Sequence, residues 1–165
     1  MPADFDDVCR HKWLLDQWEI GKITDCHTAA SLFKQWLREL YEPLVPDKVY
    51  DDAIVLGQQL EDIKDYDNHK PGELVRDFVV SRMMPYELNY LTLLYLIRYL
   101  QNFVSPEIVA RTKMDEANLA TIFAPNILRC PSNDAIVMIQ NAAKESAFVK
   151  NLIKWLDTSD ISGVI

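Results

Sequence analysis

Lys34 and Arg38 lie four residues apart, so on a helix they stand one above the other on a single face. Two cations so placed can meet an anion. They can equally line a solvated edge, with Arg38 pairing Glu39, Glu42 or a carboxylate of a neighbouring helix. Asn126 directly follows Pro125 at a predicted helix end and also has two readings. Its amide either satisfies local backbone groups or points outward, with Arg129 a short step beyond.

The remaining chemistry-bearing residues form weaker patterns. His11, His27 and His69 are scattered, and Cys9, Cys26 and Cys130 are far apart with no CxxC pair. Cys26-His27 and Cys9-x-His11 are close, but a zinc site needs about four ligands at matched spacings, so no metal or cofactor site is expected. Asp51-Asp52 resembles the paired carboxylates that hold magnesium in helical prenyl-transferring enzymes. The third acid such a site needs, four positions after the first, is Val55, so the pair reads as a solvated face. No GxxxxGK[ST] loop, GxSxG elbow or HExxH occurs. The chain has no self-sufficient set for bond-breaking chemistry.

Composition narrows the partners. The 165 residues suit one domain, with 49% hydrophobic and 25% charged residues. A net charge of -8 and a pI of about 4.8 disfavour nucleic acid and anionic membrane surfaces. A cationic pair in so acidic a chain is a local feature, which gives Lys34 and Arg38 their weight. Four glycines argue against glycine-rich phosphate loops and a turn-rich all-β fold. Three cysteines, an odd number, suit a reducing, cytoplasmic setting. The first residues lack an apolar signal core, and the apolar run Leu91 to Leu100 is broken by Thr92, Tyr95, Arg98 and Tyr99.

The elements that must position these residues read as helices throughout. Asp4 caps a first helix, with Phe5, Val8 and Leu15 or Trp18 inward and Gly21 as its stop. A second, capped by Asp25 or Thr28, carries Ala30, Leu32, Phe33, Trp36, Leu37 and Leu40 at helical spacing and stops at Glu42-Pro43. A third runs from Lys48 to about Lys64, with Val49, Ala53, Leu56, Leu60 and Ile63 available for burial. Asp65 to Gly72 reads as a polar loop, and Glu73 to Met83 as a short helix. Pro85 opens the most apolar helix, which belongs at the centre of a bundle. Ser105-Pro106 starts a short turn. Asp115 caps a segment that Ala124-Pro125 terminates. Ser132 or Asn133 caps a last long helix to about Asp157, with Ile136, Ile139, Phe148, Leu152, Ile153 and Leu156 inward. The tyrosines and tryptophans read as core. The expected fold is all-α, a single domain of about six to eight helices spanning 1–157, with a frayed tail over 158–165.

Two stretches carry a resemblance. Leu37-Arg38-Glu39-Leu40, then Glu42-Pro43-Leu44, is similar to the LRELPEPL signature of Rho GTPase-activating (RhoGAP) domains, with Tyr41 in place of the usual proline. Lys113-Met114-Asp115, then Asn118-Leu119-Ala120, Phe123, Pro125-Asn126 and Leu128, resembles the family's second signature. The ends Leu128-Arg129-Cys130 and Leu156-Asp157-Thr158-Ser159 are similar to the Vilse (CrossGAP) branch, in which a MyTH4 module precedes the RhoGAP domain. The stretch 65–82 looks longer than the family norm and is expected to be a surface insertion.

The resemblance implies a helical module that serves a Rho, Rac or Cdc42-type GTPase in its GTP-bound form, with no cofactor. Such a module activates a partner enzyme and is not an enzyme itself. Lys34 would contact the GTPase, Arg38 would brace the loop bearing the family's arginine finger, and Asn126 would hydrogen-bond near the switch region. The finger sits in a GIFR loop between the family's first two helices. Pro2 to Val8 resembles the segment immediately after that arginine, so the first helix and finger loop are expected to be absent. Arg10, predicted within a helix, is no substitute. Impaired activity, an exposed hydrophobic patch and lowered stability are therefore expected. A catalytically silent module that binds a GTPase, or a helical scaffold, is the alternative.

Overall fold

The computed structural model describes residues 3–19, 22–23, 25–63 and 70–159. The described residues form eight α-helices and one π-helical turn, with no strand. None of these helices is long and apolar enough to cross a membrane. The chain divides into two compact units, Met1–Tyr41 and Glu42–Ile165.

The first unit holds α1 (Phe5–Asp16) and α2 (Cys26–Glu39). Asp4 caps α1 as its sequence position predicts, accepting from the Asp6 backbone N–H at 3.0 Å. The helix stops at Asp16, before Gly21, which lies outside the described residues. Trp18 there adopts a left-handed φ of 59°. Asp25, rather than Thr28, caps α2, and its Oδ2 accepts from both the Thr28 N–H and the Thr28 hydroxyl at 2.9 Å. The two helices run in the same direction. Thr28 lies 3.3 Å from Asp7 Oδ2 near their starts, and Lys12 reaches Glu39 at 2.8 Å further along.

The rotation of α1 differs from its apolar pattern. Val8 is buried, but so are His11 and the Thr28 side chain on α2, whereas Phe5 is 77% and Trp18 94% exposed. Trp13 and Leu15 are exposed as well. The polar groups explain this. Asp7 must face Thr28, and that turns Phe5 and Trp13 away. On α2, Leu32 and Leu37 are buried as expected, Phe33 and Leu40 are half-buried, and Ala30 and Trp36 are exposed. Trp36 stacks on Phe33 with ring centroids 6.1 Å apart. Reading the tryptophans as core therefore fails in this unit.

The second unit contains α3 (Asp47–Asp62), α4 (Lys70–Phe78) with the π-helical turn Val79–Met83, α5 (Glu87–Gln101), α6 (Pro106–Thr112), α7 (Glu116–Ile127) and α8 (Ala135–Trp155). α8, not the more apolar α5, is the hub, packing on α3, α4, α5 and α7. Its Phe148, Val149, Leu152 and Ile153 are fully enclosed. Phe148 meets Phe78 of α4 edge-to-face at 5.1 Å. Gly57 of α3 allows a close approach: a Cβ there would lie 2.2 Å from the Lys144 carbonyl oxygen of α8. Beside this crossing the Tyr50 hydroxyl donates to Glu145 Oε1 at 2.5 Å, and Asn141 Nδ2 donates to the same hydroxyl at 3.3 Å. Burial pushes the Glu145 carboxyl above its usual range, and burial likewise pushes the Tyr50 phenol up.

Several sequence expectations change here. α4 begins at Lys70, so Lys70, Pro71 and Gly72 belong to a helix instead of the expected loop, whose residues 65–69 lie outside the described ones. The described part of the 65–82 stretch also supplies Val75, Phe78 and Val79 to the core. Ile63 is half-buried and ends α3. Asp134, rather than Ser132 or Asn133, caps α8, while Ser132 Oγ accepts from the Asp134 N–H. Ile136 and Ile139 are 65% and 75% exposed because the first turns of α8 overhang the core; its buried residues begin at Glu145.

Candidate functional site

α7 differs from its expected end in a way that defines the second signature. Asp115 caps it, accepting from the Asn118 N–H at 2.8 Å. Pro125 does not terminate it; the helix continues to Ile127. A proline lacks the N–H that would bond Thr121 and normally breaks a helix interior. Here it falls in the final turn, where little helix remains to be lost. Asn126 Nδ2 donates to the Ile122 carbonyl at 2.6 Å, and the Leu128 N–H closes the helix on Ala124 at 2.9 Å. Asn126 is 5% exposed, so its amide does not point freely outward. Its donor serves the local backbone, the first of its two sequence readings.

The tail of the first signature meets this helix end. Leu44, Val45, Ile127 and Leu128 are all buried. The Val45 N–H donates to the Ile127 carbonyl at 3.0 Å. Asn89 of α5 donates to the Pro43 carbonyl at 3.1 Å and lies 3.3 Å from that of Leu44. Two motifs about eighty residues apart in sequence are thus joined by a backbone hydrogen bond. Neither Val45 nor Asn89 was singled out from sequence, because a backbone donor and a carbonyl-binding amide leave no spacing pattern.

Lys34 and Arg38 occupy one face of α2, in the first unit. Lys34 is half-buried and has no ion pair among the described residues, whereas Arg38 is exposed. Arg38 lines a cavity of about 450 Å³ with Ala3, Phe5, Val8, Ser31, Gln35 and Glu39. Glu39, a candidate partner for Arg38, accepts from Lys12 and Gln35 at 2.8 and 2.9 Å. The Lys12 hydrogen bond, then that of Gln35, holds the Glu39 carboxyl below its usual range, and the same contact raises the Lys12 ammonium. Arg10 is on α1 and pairs with Asp7 at 2.6 Å.

The chain as a whole is similar to known proteins. The family model described as RhoGAP domain matches residues 11–132. GTPase activating protein homolog 2 of Dictyostelium discoideum is 38% identical over 139 residues, which is 84% of this chain and 14% of that protein. Rho GTPase-activating protein 22 of Mus musculus is 34% identical over 146 residues, covering 88% of this chain and 19% of that protein. The chain therefore spans less than a fifth of either relative. The fold is similar to that of human Rho GTPase activating protein 15, with a TM-score of 0.74 at 19% identity over 96% of this chain and 72% of that one. The BH domain of Graf, the GTPase regulator associated with focal adhesion kinase, gives a TM-score of 0.71 at 19% identity, over 93% and 77%. With both signatures present and a family match across most of its length, the chain belongs to the RhoGAP domain family.

Proposed function

We propose that this chain is the GTPase-facing module of an activator for a Rho, Rac or Cdc42-type GTPase in its GTP-bound state. The observation that carries this reading is the family match over residues 11–132, which spans both signatures. Lys34 contacts the GTPase directly: the residue is half-buried and has no ion pair among the described residues. Arg38 braces the loop that bears the family's arginine finger. Its cavity includes Ala3 and Phe5, in the segment that the resemblance sets just after the finger. Asn126 hydrogen-bonds the GTPase near its switch region.

Stimulation itself needs an arginine that neutralises charge on the transferred phosphoryl group. Such a residue accelerates hydrolysis by roughly 10³–10⁵, or about 4–7 kcal/mol of barrier. Neither Arg10 nor Arg38 takes this role. Arg10 lies on α1 and pairs with Asp7, and Arg38 is assigned to bracing. Residues 1–165 alone therefore bind the GTPase with impaired stimulation. The alternative is a silent module that binds a GTPase, or a helical scaffold. The branch resemblance extends the reading to an upstream MyTH4 module and a cytoplasmic signalling role.

Single-turnover GTP hydrolysis tests the proposal with residues 1–165 and with a version extended at the N-terminus through a GIFR-type loop. The extended form is expected to accelerate at least one Rho-family GTPase, and the shorter chain to bind without comparable acceleration. Lys34→Ala is expected to weaken binding about tenfold, or ~1.4 kcal/mol. No acceleration by the extended form overturns the activator reading, and full acceleration by residues 1–165 overturns the finger assignment.

A further inference from the structure

At the start of α2 three different metal-binding side chains converge. The donor atoms of Asp25, Cys26 and His27 all lie within 4.8 Å of one another. The chain has 25 acidic residues, three cysteines and three histidines, yet this is the one such group of three among the described residues. The three residues are consecutive, so adjacency brings the donors near, and the mixed oxygen, sulfur and nitrogen set is what distinguishes the group. We propose that Asp25, Cys26 and His27 form a surface site for Zn²⁺, with water completing a tetrahedral shell.

The donor set selects the ion. Sulfur and imidazole nitrogen suit zinc, whereas magnesium and calcium favour oxygen shells. Cys26 and His27 are exposed, so both side chains can rotate toward an ion. Bond lengths of about 2.0–2.3 Å require the donors to close by roughly 1 Å from that outer separation. Asp25 is already oriented. The buried Thr28 places its N–H and hydroxyl on Oδ2, which fixes the carboxylate at the start of α2. The same carboxylate offsets the positive end of α2, which would otherwise repel a cation. On binding, the Cys26 thiol releases its proton to solvent and the sulfur binds as thiolate, so occupancy rises with pH. The sequence reading set Cys26-His27 aside for want of ligands; the capping carboxylate is the third.

Cobalt(II) is the direct probe, since a thiolate on Co²⁺ gives a near-ultraviolet charge-transfer band. Titrating the full chain in metal-free buffer is expected to give a saturable 1:1 band that Zn²⁺ abolishes. Cys26→Ser is expected to remove the band, while Cys9→Ser and Cys130→Ser retain it. His27→Ala and Asp25→Asn are each expected to weaken Co²⁺ binding by at least about tenfold. Asparagine is chosen because it still caps the helix, so lost affinity is not lost fold. Circular dichroism checks that each variant keeps its helices. No band, a band that survives Cys26→Ser, or one indifferent to both His27→Ala and Asp25→Asn overturns the site.

Discussion

The two units of the chain are held by different means. In the second, α8 buries a row of large apolar side chains against α3, α4 and α7, and one glycine lets two helix backbones nearly touch. In the first, α1 and α2 are tied by Thr28–Asp7 and Lys12–Glu39, and most of the bulky side chains of α1 face outward. Tight apolar packing fixes geometry by volume, and a change of one methylene is felt. Exposed ion pairs such as Lys12–Glu39 fix geometry by direction and contribute little net stability. A mutation series across the two units separates these regimes.

The largest expected effect is at Phe148. It is fully enclosed and packs edge-on against Phe78, so Phe148→Ala leaves a cavity and is expected to cost about 3–5 kcal/mol in urea unfolding. Phe5→Ala in the first unit, at 77% exposure, is expected to stay within about 0.5 kcal/mol. Comparable losses at both positions would abolish the distinction.

Gly57→Ala comes next. Alanine is the better helix former by about 1 kcal/mol, so an open site would be stabilised. Here the new Cβ would lie 2.2 Å from a backbone carbonyl of α8, which can move only with its helix. Net destabilisation of about 1–3 kcal/mol is expected, read as a lower midpoint in thermal unfolding. An unchanged or raised midpoint would mean that the crossing is looser than its geometry.

The contrast also explains which features were legible from sequence. The all-α class and most helix boundaries follow from period and caps. Asp4, Asp25 and Asp115 announce helix starts by a short side chain placed before an apolar stripe. Ile136 and Ile139 carry the same stripe yet stay exposed, because periodicity does not reveal where a helix outruns its neighbours. Pro125 has the sequence signature of a stop, but in a last turn little helix remains for a proline to break. Lys34 and Arg38 were legible as a pair on one face. The burial of Asn126 and the Val45–Ile127 bond were not, since both depend on segments brought together by the fold. His11 and Thr28, polar and buried, belong to the same class of miss.

The smallest effects concern pH, and here the two units should respond with opposite sign. Glu145 in the second unit has a carboxyl raised mainly by burial, with the Tyr50 hydrogen bond opposing. A raised folded-state pKa gives stability that is full below the unfolded value and lost as pH climbs through the folded one. Wild type should therefore lose stability relative to Glu145→Gln as pH rises above the ordinary glutamate value of 4.5. Asp7, Asp25 and Glu39 in the first unit are lowered instead, by hydrogen bonds from Arg10, Thr28 and Lys12 respectively. Their contributions are present above the ordinary carboxylate range and are lost as pH falls through the lowered values. Trp13, Trp18 and Trp36 report on the first unit and Trp155 on the second. In an acid titration, a variant that keeps only Trp36 is expected to change its emission at a higher pH than one that keeps only Trp155. Coincident transitions would show that the polar ties of the first unit do not set its acid response.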